Sequence, residues 1–387
     1  MISKIKRFFV KLLIFLIFEI SFYIFRYFLR TDIGLLKFNG EQYNNEYINK
    51  YYTLKSLYIN DSFLNYFLKE ISIISYDFTE EIKKENKKIH IVINMNNKYI
   101  YPTIVSMNST LRYSCKDKTT IVYHILCPEE FRRGNINKLK LFLNQYPTNL
   151  EMIFYNMGTL FRDFKNNRFS EVTFYRLLTP IFIPQEKVIY LDSDILVFDD
   201  LEEFYNLPLN NNYVLGFLDL LSDGVDYLGL KSEKYINAGV LLLNLDLIRK
   251  DKKYVEMLYM LKNNKNLKNN DQTIINYVFY PNIGILPSKF GIFNFDTIFD
   301  IKYLYLKKVR QKLNLSELIE SFKHPTIMHF VLCNPKVWKP DSLFIEKYSR
   351  AGTIKKTKCK KYHDIWIKNM KNSSFFSDIK KLYKIII

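Results

Sequence analysis

Short apolar, β-branched runs alternate with longer stretches of helical periodicity over the middle of the chain. The runs Ile89–Asn94, Thr119–Leu126, Met152–Phe154, Val188–Leu191, Tyr213–Leu218, Gly239–Leu245, Ile283–Leu286 and Thr326–Phe330 read as strands. Between them, Ile100–Arg112, Glu129–Gln145, Val172–Phe182, Tyr254–Leu261 and Asp271–Phe279 read as helices. This alternation predicts an α/β fold with a mostly parallel sheet flanked by helices, whose ligands bind beyond the carboxyl ends of the strands.

Before that region the pattern differs. Residues Phe8–Leu29 form an apolar, aromatic run interrupted by Lys11 and Glu19, with Arg26 and Arg30 at its far end, long enough for a bilayer-spanning helix. A mid-span charge such as Glu19 costs about 2.5 to 3.5 kcal/mol, which the surrounding Leu, Ile and Phe offset. No small-residue cleavage site follows, so residues 1–30 are expected to be a cytoplasmic tail and an uncleaved signal anchor. Lys4, Lys6, Arg7 and Lys11 precede most of the run and would keep the N-terminus cytoplasmic, giving a single-pass type II orientation. Residues 31–88, rich in Tyr, Asn and Lys without a sustained pattern, read as a stem; 89–345 as the α/β domain; 346–387 as a basic helical tail.

The chain of 387 residues is 48% hydrophobic, which excludes a disordered protein. Its formal net charge of +18 raises the question of nucleic acid. The lysines, however, are spread along the whole length among Asn, Ile, Tyr and Phe, and no nucleic-acid module is present, so no such partner is expected. Cys115, Cys127, Cys333 and Cys359 show no zinc-site spacing. Asn-x-Ser/Thr sequons stand at Asn60, Asn108, Asn314 and Asn372.

The chemistry concentrates where Val188–Leu191 stops at Asp192-Ser193-Asp194 and resumes as Ile195–Phe198. Carboxylates inside an apolar run need a partner, because burying an uncompensated charge costs several kcal/mol. A cation is the natural one, and carboxylate oxygens suit Mn²⁺ or Mg²⁺ better than zinc. An early polar turn at the strand end is the alternative reading.

Further segments, in order, extend the case: Thr173-Phe174-Tyr175-Arg176-Leu177, then Val188–Asp194, Ile236-Asn237-Ala238-Gly239 running into Val240–Leu245, Asn270-Asp271-Gln272, and His329-Phe330 leading to Lys336-Val337-Trp338. Together they resemble the family 8 retaining glycosyltransferases, the group containing bacterial lipopolysaccharide galactosyl- and glucosyltransferases and glycogenin. The resemblance implies a GT-A type, Rossmann-like nucleotide-sugar-binding fold. It also implies Mn²⁺ (or Mg²⁺) held by Asp192, Asp194 and His329, a UDP-sugar donor, and transfer with retention to a glycan, glycoprotein or glycolipid acceptor. Asp271 and Gln272 are then the expected catalytic-site pair. Asn96, Asn97, Lys98, Arg176, Asp192, Ser193, Asn237, Ala238, Gly239 and Lys336 are the expected donor contacts, with Arg176 and Lys336 beside the diphosphate. Such a type II enzyme faces the Golgi or ER lumen if the cell is eukaryotic.

The chain departs from the family pattern twice. Asn96 stands where the family has an aspartate for the nucleotide base, and Val331-Leu332-Cys333-Asn334-Pro335 lacks a glycine and is one residue longer. Two other readings remain: a catalytically impaired, membrane-anchored UDP- or glycan-binding protein, and a phosphotransferase of the haloacid-dehalogenase type. The latter also places Asp-x-Asp after an apolar strand, but normally with Thr or Val where this chain has Leu196.

Overall fold

The computed structural model describes residues 72–77, 87–114, 119–131, 133–143, 150–164, 170–219, 234–263, 267, 269–294, 314–331, 336–338, 344–348, 354–358, 360–371 and 375–378. The anchor expected over residues 1–30 lies outside them. Among the described residues no helix is long and apolar enough to cross a membrane.

The strands are β1 (Ser72–Asp77), β2 (Lys87–Asn94), β3 (Thr119–Cys127), β4 (Leu150–Asn156), β5 (Lys187–Leu191), β6 (Ile195–Val197), β7 (Val214–Leu218), β8 (Ile236–Asn244), β9 (Ile283–Ile285), β10 (Ile292–Phe293), β11 (Ile327–His329), β12 (Phe344–Tyr348) and β13 (Ile354–Lys358). Eight of them form one sheet in the order β1-β4-β3-β2-β5-β8-β7-β9. Its centre, β4-β3-β2-β5, is parallel, as is β7 with β9; β8 runs antiparallel to β5 and β7, and β1 antiparallel to β4. A small sheet, β10-β11-β6, stands beside it, and β12 and β13 pair antiparallel.

The continuous apolar runs have a simple cause: the sheet is covered on both faces. On β3, Ile121, Tyr123 and Ile125 enter one core, with Ile89, Ile91 and Ile93 of β2, while Val122 and Leu126 enter the other with Val92. The first core contains helices α1 (Ile100–Ser114) and α2 (Arg133–Leu143). Against the second pack α3 (Leu245–Lys250), α4 (Lys253–Asn263) and α5 (Asn270–Phe279). Further along the chain lie helices α6 (Leu315–Lys323) and α7 (Lys360–Lys371).

Two helices differ from expectation. Helix α2 starts at Arg133 and not at Glu129, because the chain first turns, Phe131 N–H donating to the Pro128 carbonyl at 2.9 Å. Segment Val172–Phe182 is a 3₁₀ helix, Glu171–Leu178, followed by one α-turn, Thr179–Phe182. Pro180 has no N–H for the Arg176 carbonyl, which instead accepts from Thr179 N–H in the tighter 3₁₀ pattern. The sequon asparagine Asn108 is 1% exposed inside α1 and closed to glycosylation in the folded chain, whereas Asn314 is exposed and caps α6.

One core feature is polar. On β2, β3 and β4, His90 Nδ1 lies 3.1 Å from His124 Nε2, and His124 Nδ1 lies 2.9 Å from the Tyr155 hydroxyl. Burial pushes the His124 imidazole down to about 3. Between the ordinary value of about 6.5 and that figure the unfolded chain binds a proton that the folded chain refuses, so stability falls as pH falls through this window. The expected slope is at most about 1.4 kcal/mol per pH unit. In denaturant titrations from pH 7 to pH 4, the stability advantage of wild type over His124→Asn should shrink steadily. An advantage that does not change with pH contradicts this.

Candidate active site

Two backbone ladders converge at the end of β5 and bring distant segments together. Leu191 pairs with Val240 of β8, and Asp192 N–H donates to the Gly239 carbonyl at 2.8 Å, so Gly239 lies beside Asp192. After the Asp192–Asp194 turn the chain enters β6, where Ile195 pairs with His329 of β11, and Phe330 N–H donates to the Asp194 carbonyl at 3.0 Å. The turn itself is tied inward: Ser193 Oγ donates to the Asn94 carbonyl at 3.1 Å and accepts from Thr103 Oγ1 of α1 at 2.9 Å. Ser193 is thereby held in the protein while its two neighbours present carboxylates to one point.

That point has the makings of a metal site. Ligand atoms of Asp192, Asp194 and His329 lie within 4.8 Å of one another. His329 Nε2 is 3.3 Å from Asp194 Oδ1 and 3.7 Å from Asp192 Oδ2. Two carboxylates and an imidazole fit a Mn²⁺- or Mg²⁺-class ion. A side chain at position 239 would fill this space, since a Cβ there would stand 2.7 Å from Asp192 Oδ2 and 2.1 Å from His329 Cε1. Gly239 is required by this close approach, not by its backbone angles.

Cations of the chain itself balance the carboxylates. Lys336 Nζ pairs with Asp194 Oδ2. Burial works against the Asp194 charge, yet Lys336 and His329 hold its carboxyl well below the usual range. Burial likewise opposes the Lys336 ammonium, but Asp194 outweighs it and carries the group up to about 12. Arg176 is 7% exposed and lies between two acids: Nη2 is 3.0 Å from Asp192 Oδ1 and Nε is 3.0 Å from Asp271 Oδ2. Its third nitrogen donates to the Ala238 carbonyl, and its plane covers the Tyr190 ring at 4.1 Å. In this geometry the fork expected on phosphate is a fork on carboxylates. Burial lifts the Asp271 carboxyl to about 7 against the pull of Arg176.

Asp271 and Gln272 open α5, just after Asn270, whose φ of 46° is left-handed. Gln272 Oε1 accepts from Asn237 Nδ2 at 3.1 Å and from Ala238 N–H at 3.2 Å, while Gln272 Nε2 donates to Asp219 Oδ2 at 2.6 Å. Asn237 Oδ1 also accepts from Gly239 N–H at 2.9 Å. Expected residues Asn237, Ala238, Gly239, Asp271 and Gln272 are thus one bonded unit around the end of β5. The Asn96–Lys98 segment lies at the end of β2. Asn96 Oδ1 accepts from Lys98 N–H and Tyr99 N–H at 3.0 and 3.2 Å, Asn97 turns to Glu130 and Asn135, and Lys98 is exposed.

Three residues were missed from sequence. Asp219 follows the apolar strand β7 much as Asp192 follows β5, and that same signature could have found it. Tyr190 donates to Asp192 Oδ1 at 2.9 Å, a role hidden inside an apolar run. Tyr99 is half-buried, with Lys336, Asp194 and Asp192 near enough to act on its hydroxyl, and its ring meets Trp338 edge-on at 5.9 Å.

The family model described as Glycosyl transferase family 8 matches residues 90–342. The chain belongs to that family. The structure of this family 8 chain is similar to the bifunctional glycosyltransferase WbbM, with a TM-score of 0.61 and 20% identity over 77% of this chain and 52% of that one. It is also similar to the galactosyltransferase LgtC, solved with donor and acceptor sugar analogs, with a TM-score of 0.53 and 20% identity over 77% of this chain and 98% of that one. Similar curated proteins include glycosyltransferase GlyE of Streptococcus pneumoniae, 31% identical over 32% of this chain and 28% of that protein. A putative glycosyltransferase of Haemophilus influenzae is 26% identical over 54% of this chain and 56% of that protein. The chain therefore covers less than two thirds of the length of either relative.

Proposed function

We propose that this family 8 enzyme is a metal-dependent, retaining glycosyltransferase that transfers a hexose or related sugar from a UDP-sugar to a glycan, glycoprotein or glycolipid. The observation that carries the reading is the convergence of Asp192, Asp194 and His329 on one point beside the Gln272–Asn237–Asp219 unit. Asp192, Asp194 and His329 would hold Mn²⁺ or Mg²⁺, which as a Lewis acid supplies charge for a leaving diphosphate. Lys336 adds a cation at the same point. Asp271, Gln272, Asn237 and Asp219 offer the donors and acceptors to orient sugar hydroxyls. Asn96 and Tyr99 stand at the end of β2, where a base would lie. The apolar run Phe8–Leu29 supports a type II membrane anchor, with the enzyme on the far side of the membrane, the Golgi or ER lumen in a eukaryotic cell.

The test is a screen of UDP-sugars for hydrolysis or transfer by the purified protein with Mn²⁺. Turnover of at least one, abolished by a chelator and restored by Mn²⁺, is expected. UDP binding without turnover across a broad acceptor panel would support the impaired-enzyme reading instead. A second expectation concerns Lys336, which competes with an incoming cation for Asp194. Mn²⁺ titration of Lys336→Met without nucleotide should give affinity about tenfold tighter than wild type, since one contacting positive charge is gone. Unchanged or weaker affinity would mean that the ammonium is no competitor.

A further inference from the structure

Helix α7 carries Tyr362, Trp366 and Met370 at successive four-residue steps, all fully or nearly fully buried, and it packs where the two ends of the His329–Lys336 stretch meet. Trp366 lies between those ends. Its ring is 5.4 Å from Phe330, edge-on, and 5.1 Å from Trp338. Tyr362 adds a second edge-on contact to Phe330 at 6.3 Å. Phe330 adjoins the metal-site histidine His329, and Trp338 lies two residues beyond Lys336. The buried His363 Nδ1 donates to the carbonyl of Val337, the residue bonded to Lys336, at 2.8 Å.

A long lysine side chain reaches one carboxylate reliably only if its backbone is fixed. The described residues show that fixing at the Val337–Trp338 peptide, one residue beyond Lys336, and its source is α7. Resting on the donor-site reading above, we propose that His363 and Trp366 are positioning residues for the cationic side of the site. His363 sets the backbone from which Lys336 reaches Asp194 and the diphosphate. Trp366 sets the separation of Phe330 and Trp338, and so couples His329 to Lys336. Outer groups that orient a binding side chain without touching the ligand commonly affect affinity by about 10- to 100-fold.

The experiment measures UDP affinity with Mn²⁺ and, separately, Mn²⁺ affinity without nucleotide, on the full chain. His363→Ala should weaken UDP about tenfold and, because it loosens Lys336 from Asp194, tighten Mn²⁺ without nucleotide toward the Lys336→Met value. His363→Asn, whose amide nitrogen stands near the Nδ1 position, should restore most of the UDP affinity. Trp366→Leu should weaken both ligands. In a Lys336→Met background, His363→Ala should add little, because its effect runs through the lysine. A His363→Ala loss of equal size with and without Lys336 overturns the proposal, as does UDP affinity unchanged in His363→Ala. Should Trp366→Leu not fold, the His363 and Lys336 comparison still decides. A wild-type protein that binds no UDP sinks the donor-site reading itself; wild-type binding with an unaffected His363→Ala sinks only the role of α7.

Discussion

Replacing Gly239 with alanine should leave the fold intact and weaken Mn²⁺ binding and sugar transfer by at least about a hundredfold, the usual consequence of displacing site groups by about an ångström. The added Cβ would stand 2.1 Å from His329 Cε1, 2.8 Å from His329 Nδ1 and 2.7 Å from Asp192 Oδ2, all below contact distance. Something must move, and β8 is the least free to do so, because it is bonded to β5 on one side and β7 on the other. The imidazole has little room either: His329 is 4% exposed and its ring lies edge-on to Phe293 at 6.0 Å. The methyl group therefore acts on the two ligand side chains. Because position 239 needs no left-handed backbone, alanine strains nothing else, and overpacking of this kind costs roughly 1 to 3 kcal/mol. Mn²⁺ titration alongside thermal unfolding separates the effects. A Gly239→Ala protein that folds and binds Mn²⁺ like wild type would show that this cluster is no metal site.

The same position shows what the sequence made legible and what it did not. The strands could be read because both faces of the sheet are covered, which leaves long apolar runs such as Thr119–Leu126. Asp192 and Asp194 could be read because charges interrupt such a run. That Gly239 touches His329, 90 residues later, depends on β8 and β11 flanking the same turn from two sheets, and no local pattern encodes that. Strand β6 is only three residues long, and β1 lies in a stretch without a sustained apolar pattern, so neither is announced by periodicity. Arg176 was expected from its motif, but its neighbours were not. A buried arginine says only that acids or phosphates are near, and here both acids belong to the protein. In α7, by contrast, the stripe of Tyr362, Trp366 and Met370 is readable at helical spacing, although the basic residues around it suggest only a basic helical tail.

Arg176 carries the other large expectation, and it concerns folding. Arg176→Met should lower stability by about 3 to 5 kcal/mol, the usual cost of removing one partner from a buried ionic cluster. The guanidinium serves Asp192, Asp271 and the Ala238 carbonyl at once, and burial leaves Asp271 and Ala238, though not the part-exposed Asp192, no water to replace it. Arg176→Lys should recover little, because one ammonium cannot meet three acceptors spread around a planar fork. The second acid shows where the cost lies. Asp271 is 4% exposed, and its carboxyl is already raised to about 7 by burial, with Arg176 opposing the rise. Its folded value exceeds the unfolded value of about 3.9, so its ionisation destabilises the fold as pH rises through about 7. Without Arg176 that penalty should grow, which makes Arg176→Met weakest at alkaline pH. Adding Asp271→Asn removes the stranded charge and should return more than about 1 kcal/mol at pH 8. Denaturant unfolding of the four proteins at pH 6 and pH 8 tests the cycle. Additive losses, equal at both pH values, would mean that Arg176 is held by packing alone and that the carboxylates at the metal site do not depend on it.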